Sequence, residues 1–133
     1  ECGRCTSVCP ANQTGKKLSP RKIMMDIRDR SEQIVKNKVY HFDPSNGQTE
    51  ITDGKSLYDI ISREELYACT TCNACVEACP VGINPLKPII ELRRYDILMN
   101  SGGPQDWLPM FNSLENNQSV WAMSEPRTQW LKT

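Results

Sequence analysis

Cys69-Thr70-Thr71-Cys72-Asn73-Ala74-Cys75-Val76-Glu77-Ala78-Cys79-Pro80 decides how this 133-residue chain is read. Four thiols spaced C-x2-C-x2-C-x3-C and closed by a proline form the pattern by which one short loop wraps a 4Fe-4S cluster and lends its last cysteine to a second. Spacings of two residues turn the backbone tightly enough for three thiolates to reach three corners of one cubane, so the fourth ligand must arrive from elsewhere. Pro80 has no N–H and biases Cys79 toward extended backbone, which predicts that the chain leaves the site after Cys79 instead of coiling on around it.

A shortened copy stands at the start of the chain, where Cys2, Cys5, Cys9 and Pro10 give C-x2-C-x3-C-P. The first cysteine of a full run would fall two residues before Glu1. The expectation is that the sequence is cut just inside the motif, and that its seven cysteines stand for eight. If each run serves the other's cluster with its last cysteine, Cys9, Cys69, Cys72 and Cys75 hold one 4Fe-4S cluster. Cys2, Cys5 and Cys79, with a missing upstream cysteine, then hold the other, which in this chain is lost, incomplete or a three-iron form. Two clusters are the expected cofactors, and electron transfer the expected chemistry.

Other uses of the same thiols make different demands. A disulfide framework calls for an oxidising compartment and usually an even cysteine count, not three thiols within seven residues. Zinc is the stronger rival, because Cys2, Cys5, Cys72 and Cys75 form two C-x2-C knuckles suited to a four-thiolate site. It leaves three cysteines and both Cys-Pro endings without a role, and bound iron with acid-labile sulfide distinguishes the two readings.

Length fits one domain or one piece of a larger chain. Only 38% of residues are hydrophobic, cysteines included. With so thin an apolar core, metal binding is expected to supply much of the folding free energy. Sixteen basic and sixteen acidic residues balance to zero net charge, which argues against nucleic acid or an anionic membrane surface as partner. No apolar run approaches about 18 residues, so any membrane association is expected to be indirect, through an upstream segment or a partner subunit. Reduced thiols favour the cytoplasm or the cytoplasmic face of a membrane.

Between the cysteine runs the pattern is chiefly helical. Ser19 as N-cap and Pro20 at the first helical position predict a helix from Arg21 to about Val35, with Ile23, Met24, Ile27 and Ile34 as its apolar stripe. Arg21, Lys22, Arg28, Asp29 and Arg30 are read as its solvated face. Val39–Phe42 and Gln48–Ile51, around Asn46-Gly47, predict a small hairpin. Ser62-Arg63-Glu64-Glu65 is a capping box that starts a short helix running into Cys69. Val81–Asn84 is read as an extended exit, and Pro85–Asn100 as a helix carrying Leu86, Ile89, Ile90, Ile97 and Leu98, stopped by Gly102-Gly103-Pro104. A further helix is expected over Trp107–Asn117, with Pro109 in its first turn. Helical spacers with cluster loops between them imply an all-α scaffold.

These residues resemble the helical two-cluster ferredoxin domain of the heterodisulfide reductase C-subunit class, shared with iron–sulfur subunits of anaerobic glycerol-3-phosphate dehydrogenase and of glycolate or lactate oxidation complexes. A related domain closes the succinate dehydrogenase iron–sulfur subunit. The resemblance runs over Glu1–Cys5, Cys9-Pro10-Ala11, Leu18–Lys22 and Glu65–Ile83, and covers roughly 1–100. It implies an all-α alpha-helical ferredoxin with two cluster-binding loops. The residues themselves set the expected domain at 1–103, ending where Gly102-Gly103-Pro104 stops the last helix, with an aromatic-rich C-terminal extension or linker over 104–133. The resemblance also implies a redox partner protein, or a catalytic domain or subunit with CCG motifs; this chain has no cysteine after Cys79.

The expected role is one-electron relay within a larger oxidoreductase, with no bond made or broken by this chain. Two alternatives come from other classes: an assembly module stapled by zinc or clusters, and an enzyme with an open iron site at the incomplete first run. Backbone N–H groups of Gly3, Thr70, Thr71 and Asn73 are expected donors to sulfur, and Val8, Val76, Val81 and Ile83 expected apolar shields. Arg4, Lys16, Lys17 and Lys87 are read as surface charge and His41 as a satisfied histidine. Trp107, Trp121 and Trp130 suit either an interface or packing against the domain itself.

Overall fold

The computed structural model describes residues 2–121 and 128–132. Glu1, the start of the first matching stretch, lies outside the described residues, as do 122–127 and 133 of the tail. The protein is mainly α-helical with one two-stranded antiparallel hairpin, as the sequence predicts.

Helices α1 (Arg4–Ser7) and α2 (Pro10–Gln13) belong to the first cysteine run and its exit. The long helix α3 (Pro20–Asn37) starts where Ser19 accepts the Lys22 backbone N–H and Pro20 needs no partner for a missing donor, and it ends at Lys38 in left-handed backbone. Strands β1 (Tyr40–Asp43) and β2 (Gln48–Ile51) pair Tyr40 with Ile51 and His41 with Glu50. Gly47, at φ 68°, takes the left-handed turn that Asn46-Gly47 announces. Both strands are largely exposed, His41 included.

A 3-10 turn at Leu57–Asp59, unmarked by the sequence reading, has its own capping box from Ser56 and Asp59. Helix α4 (Arg63–Tyr67) carries the expected reciprocal cap between Ser62 and Glu65. Next come α5 (Ala74–Glu77), inside the second cysteine run, then α6 (Leu86–Asn100) and α7 (Trp107–Asn117), with a last 3-10 turn at Gln129–Lys132. Pro88 sits in the first turn of α6, where the Asn84 side chain accepts the Lys87 N–H.

Two compact units divide the chain, Glu1–Arg94 and Tyr95–Thr133. In the first, Cys9, Ala11, Leu18, Ile23, Ile61, Leu66 and Ile89 form the core, with Ile27, Leu57, Tyr58, Ala68, Cys69 and Leu92 packed against it. Each fully buried Leu or Ile contributes about 1.5–3 kcal/mol relative to exposure, so a core this small leaves little margin. One of its members, Cys9, and one residue packed against it, Cys69, are expected metal ligands.

The outer-face reading of α3 fails at Arg30, which is buried at 4% exposure. Arg30 follows Ile23 and Ile27 by seven and three residues and therefore falls on their stripe. Its guanidinium forks onto Asp53 at 2.8 and 2.7 Å and also reaches the Lys55 carbonyl at 2.9 Å, joining the helix to the segment after the hairpin. Arg30 thereby holds the Asp53 carboxyl down at about 2. Lys22 bridges Asp26 at 2.8 Å and the buried Glu65 at 2.9 Å, which ties α3 to α4. Burial alone would raise Glu65, but hydrogen bonds from Lys22 and Ser62 outweigh it and keep the carboxyl below its usual range.

In the second unit Asp96 is fully buried, while Leu98, Met99, Trp121 and Trp130 are exposed. Trp107 meets Phe111 edge-on, with ring centroids 6.3 Å apart. No helix among the described residues is long and apolar enough to cross a membrane.

Candidate metal centres

The two cysteine runs fold into the same local form. Gly3 (φ 80°, ψ −2°) precedes α1, and Asn73 (φ 65°, ψ −2°) precedes α5; each occupies the residue after the first cysteine of a C-x2-C-x3-C segment. Glycine suffers no Cβ clash in this left-handed region, and asparagine tolerates it better than most residues. The Gly3 carbonyl accepts from Thr6 and Ser7, and Cys9 N–H donates to Thr6; correspondingly, Asn73 accepts from Val76 and Glu77, and Cys79 N–H donates to Val76. Each loop is thus one turn of helix with a thiol before it, within it and after it. Cys9 is extended (φ −74°, ψ 117°), as the residue before a proline should be.

Helix α1 packs on α5. This contact sorts the thiols across the runs. Cys9, Cys69, Cys72 and Cys75 line one cavity together with Leu18, Pro20, Leu86 and Ile89. Cys2, Cys5 and Cys79 line another together with Arg21, Met24, Met25 and Arg28. Each cavity therefore receives the last thiol of the opposite run. The three-thiol cavity is wide, about 400 Å³. The four-thiol cavity is nearly closed at about 10 Å³. That is too little room for a cluster, and the Thr70–Asn73 stretch beside it is exposed.

None of the seven cysteines is in a disulfide. Backbone donors face several sulfurs: Thr71 N–H to Cys69 Sγ at 3.4 Å and Ile83 N–H to Cys79 Sγ at 3.3 Å. The Arg4 backbone N–H likewise holds the Cys2 thiol below its ordinary pKa. Burial pushes the Cys75 thiol up, and the neighbouring Cys69, Cys72 and Cys9 sulfurs push it further. Such mutual repulsion among thiolates is relieved by cationic metal between them. Among the described residues, no three His, Cys, Asp or Glu side chains close around a single-ion position. All-sulfur donor sets ringing cavities, with N–H groups aimed at the sulfur, fit a multinuclear iron–sulfur group better than one tetrahedral ion.

Several expectations change here. Of the four expected donors, Thr71 faces a sulfur as predicted; Ile83, expected as a shield, is also a donor. Val8 is 37% exposed; Val81 and Ile83, 75% and 47% exposed overall, line the three-thiol cavity. Around the four-thiol cavity Leu18, Pro20, Leu86 and Ile89 exclude water, all of them buried. The chain beyond Pro80 turns at Pro80-Val81, and Gly82 N–H donates to the Cys79 carbonyl, so the exit curls back before leaving. Pro10 opens α2, a role its fixed φ permits at a first helical position.

Residues missed in the sequence also matter. Arg21, Met24, Met25 and Arg28 form an i, i+3, i+4, i+7 stripe directed at the three-thiol cavity, a pattern visible in the sequence once α3 is known to have two working faces. Arg28 is paired with Asp29 at 2.7 Å. Lys17 makes an exposed ion pair with Glu64 at 3.5 Å, and Arg4, Lys16 and Lys87 are exposed, as surface charge should be.

A family model described as the 4Fe-4S dicluster domain matches residues 1–83. The chain is 31% identical over 155 residues to the probable iron-sulfur-binding oxidoreductase FadF of Bacillus subtilis, covering 98% of this chain and 22% of that protein. It is 28% identical over 145 residues to the EtfAB:quinone oxidoreductase of Syntrophomonas wolfei, covering 98% and 20%. Against the C-subunit of the ferredoxin:CoB-CoM heterodisulfide reductase of Methanosarcina mazei it is 33% identical over 94 residues, covering 70% and 41%. The chain therefore spans about a fifth of the length of the first two relatives. No solved structure matches it significantly.

Proposed function

Because the chain belongs to the 4Fe-4S dicluster domain family, we propose that it is a two-cluster electron relay within a larger oxidoreductase. The observation that carries this reading is the partition of seven thiols into two cavities, each mixing cysteines from both runs. In it, Cys9, Cys69, Cys72 and Cys75 hold one cluster, and Cys2, Cys5 and Cys79 hold the other with a fourth ligand from outside these seven. A bound 4Fe-4S cluster supplies a one-electron couple whose potential depends on charge, hydrogen bonds to sulfur and exposure.

The chain's own residues orient and insulate. Thr71 and Ile83 place N–H groups on ligand sulfurs, which stabilises thiolate charge and favours the reduced state. Leu18, Leu86 and Ile89 keep water from the four-thiol side, whereas the three-thiol side opens beside Pro80 and Val81. The open side is the natural point of exchange with a redox partner protein, or with a CCG-type catalytic domain or subunit. Relatives named as a quinone oxidoreductase and as a heterodisulfide reductase subunit suit such a division of labour. Reduced thiols suit a location in the cytoplasm or at the cytoplasmic face of a membrane.

Anaerobic purification of the full chain, with iron and acid-labile sulfide quantified and EPR recorded before and after dithionite, tests the proposal. The expected result is iron and sulfide in equal amounts with a reversible EPR signal. Stoichiometric zinc without labile sulfide would contradict it.

A further inference from the structure

Arg93 lies one helical turn beyond Ile89 on α6, which directs it to the same side of the helix. Its guanidinium meets the end of α4, where the Leu66 carbonyl also accepts the Cys69 backbone N–H. Nε donates to the Leu66 carbonyl at 2.9 Å, and Nη2 donates to that carbonyl as well and to the Cys69 carbonyl at 2.6 Å. The guanidinium carbon stands 5.4 Å from the Tyr67 ring centroid, which restrains the side chain from a further direction. Cys69 is the first thiol of its run; its sulfur accepts from Thr71 and lines the four-thiol cavity. Arginine meets both carbonyls with a guanidinium plane that also packs on Tyr67, and a lysine ammonium keeps the charge but not that plane.

We propose that Arg93 is a positioning residue for the cluster assigned to Cys9, Cys69, Cys72 and Cys75, fixing the Cys69 backbone and raising that cluster's reduction potential by its charge. Reduction adds one negative charge to a cluster, so a fixed cation beside its ligand loop favours the reduced form. The inference rests on the relay reading above. Arg94, the next residue, points elsewhere and is paired with Glu91 at 3.0 Å on the exposed surface, which makes it the matched control.

The experiment is an EPR-monitored potentiometric titration of the anaerobically purified full chain, its Arg93→Met, Arg93→Lys and Arg94→Met variants, and Cys75→Ser to identify the signal of the four-thiol cluster. Arg93→Met should lower the midpoint of that signal alone and reduce its share of iron and labile sulfide. Arg93→Lys should return the midpoint toward the parent's while loading stays reduced, and Arg94→Met should leave both midpoints in place. Equal movement of both midpoints, movement of the other signal only, or no movement would overturn the proposal. If Arg93→Met takes up no cluster, Arg93→Gln keeps hydrogen-bond donors without charge, and an unchanged midpoint there is equally fatal. A parent protein lacking labile sulfide overturns the relay reading and this inference with it, whereas a parent with both clusters and an unaltered variant overturns this inference alone.

Discussion

From Cys2 to Cys9 and from Cys72 to Cys79 the backbone makes the same moves: a left-handed residue, one turn of helix and matching hydrogen bonds into the last cysteine. The chain around them treats the two loops differently. Past Pro10 it continues into α2 and buries Ala11 against Cys9, whereas past Pro80 it turns and leaves Val81 75% exposed. The four-thiol cavity is walled by buried Leu18, Leu86 and Ile89, and the three-thiol cavity by Arg21, Met24, Met25 and Arg28 of α3 together with Val81 and Ile83. Local spacing determines the loop. Longer-range packing determines which side chains wall its cavity and how much room they leave.

Iron removal should produce the largest change, because the core beneath the two loops is small, contains Cys9 and has Cys69 packed against it. Chelation under reducing conditions, followed by thermal melting monitored by circular dichroism, should abolish or strongly broaden the cooperative transition. An unchanged melting curve would mean that packing alone holds the loops together.

The asymmetry between the cavities predicts unequal responses to truncation of their walls. Ile89→Ala, at a fully buried position, should cost about 2–5 kcal/mol in anaerobic denaturant unfolding. Val81→Ala should stay within about 0.5 kcal/mol. Comparable losses at both sites would erase the distinction drawn between an enclosed and an open centre.

A smaller effect probes the shared loop geometry. Gly3→Ala puts a Cβ into left-handed backbone and should cost roughly 1–2 kcal/mol, while Asn73→Gly, at the equivalent position, should leave stability the same or slightly higher. The same unfolding assay reads both, and a tolerated alanine at Gly3 would break the equivalence of the two loops.

Much of this organisation is legible in the sequence because it rests on short-range chemistry. Ser19-Pro20 starts α3, Ser62 and Glu65 start α4, and Asn46-Gly47 turns the hairpin, each through groups within a few residues of one another. Spacing picks out the cysteines, while the cavity that each lines depends on the packing of α1 on α5. Helices α1 and α5 escape periodicity analysis because four residues are scarcely one turn. Arg30 reads as surface until the Asp53 carboxylate is seen to cover it. Arg93 is invisible for a similar reason, since its partners are carbonyl oxygens more than twenty residues away, and any sequence offers carbonyls everywhere. Val81 and Ile83 line the three-thiol cavity, whereas the four-thiol cavity is lined by Leu18 and Ile89, which lie outside the cysteine runs and reach the site only through the tertiary fold.

The most direct measurement compares Cys9→Ser with Cys79→Ser by EPR of the dithionite-reduced full chain, using Cys75→Ser and Cys5→Ser as markers for the two clusters. If the runs exchange their last ligands, Cys9→Ser loses or alters the signal lost in Cys75→Ser, and Cys79→Ser the signal lost in Cys5→Ser. If Cys9→Ser instead matches Cys5→Ser, each run serves its own cluster and the crossed arrangement is wrong.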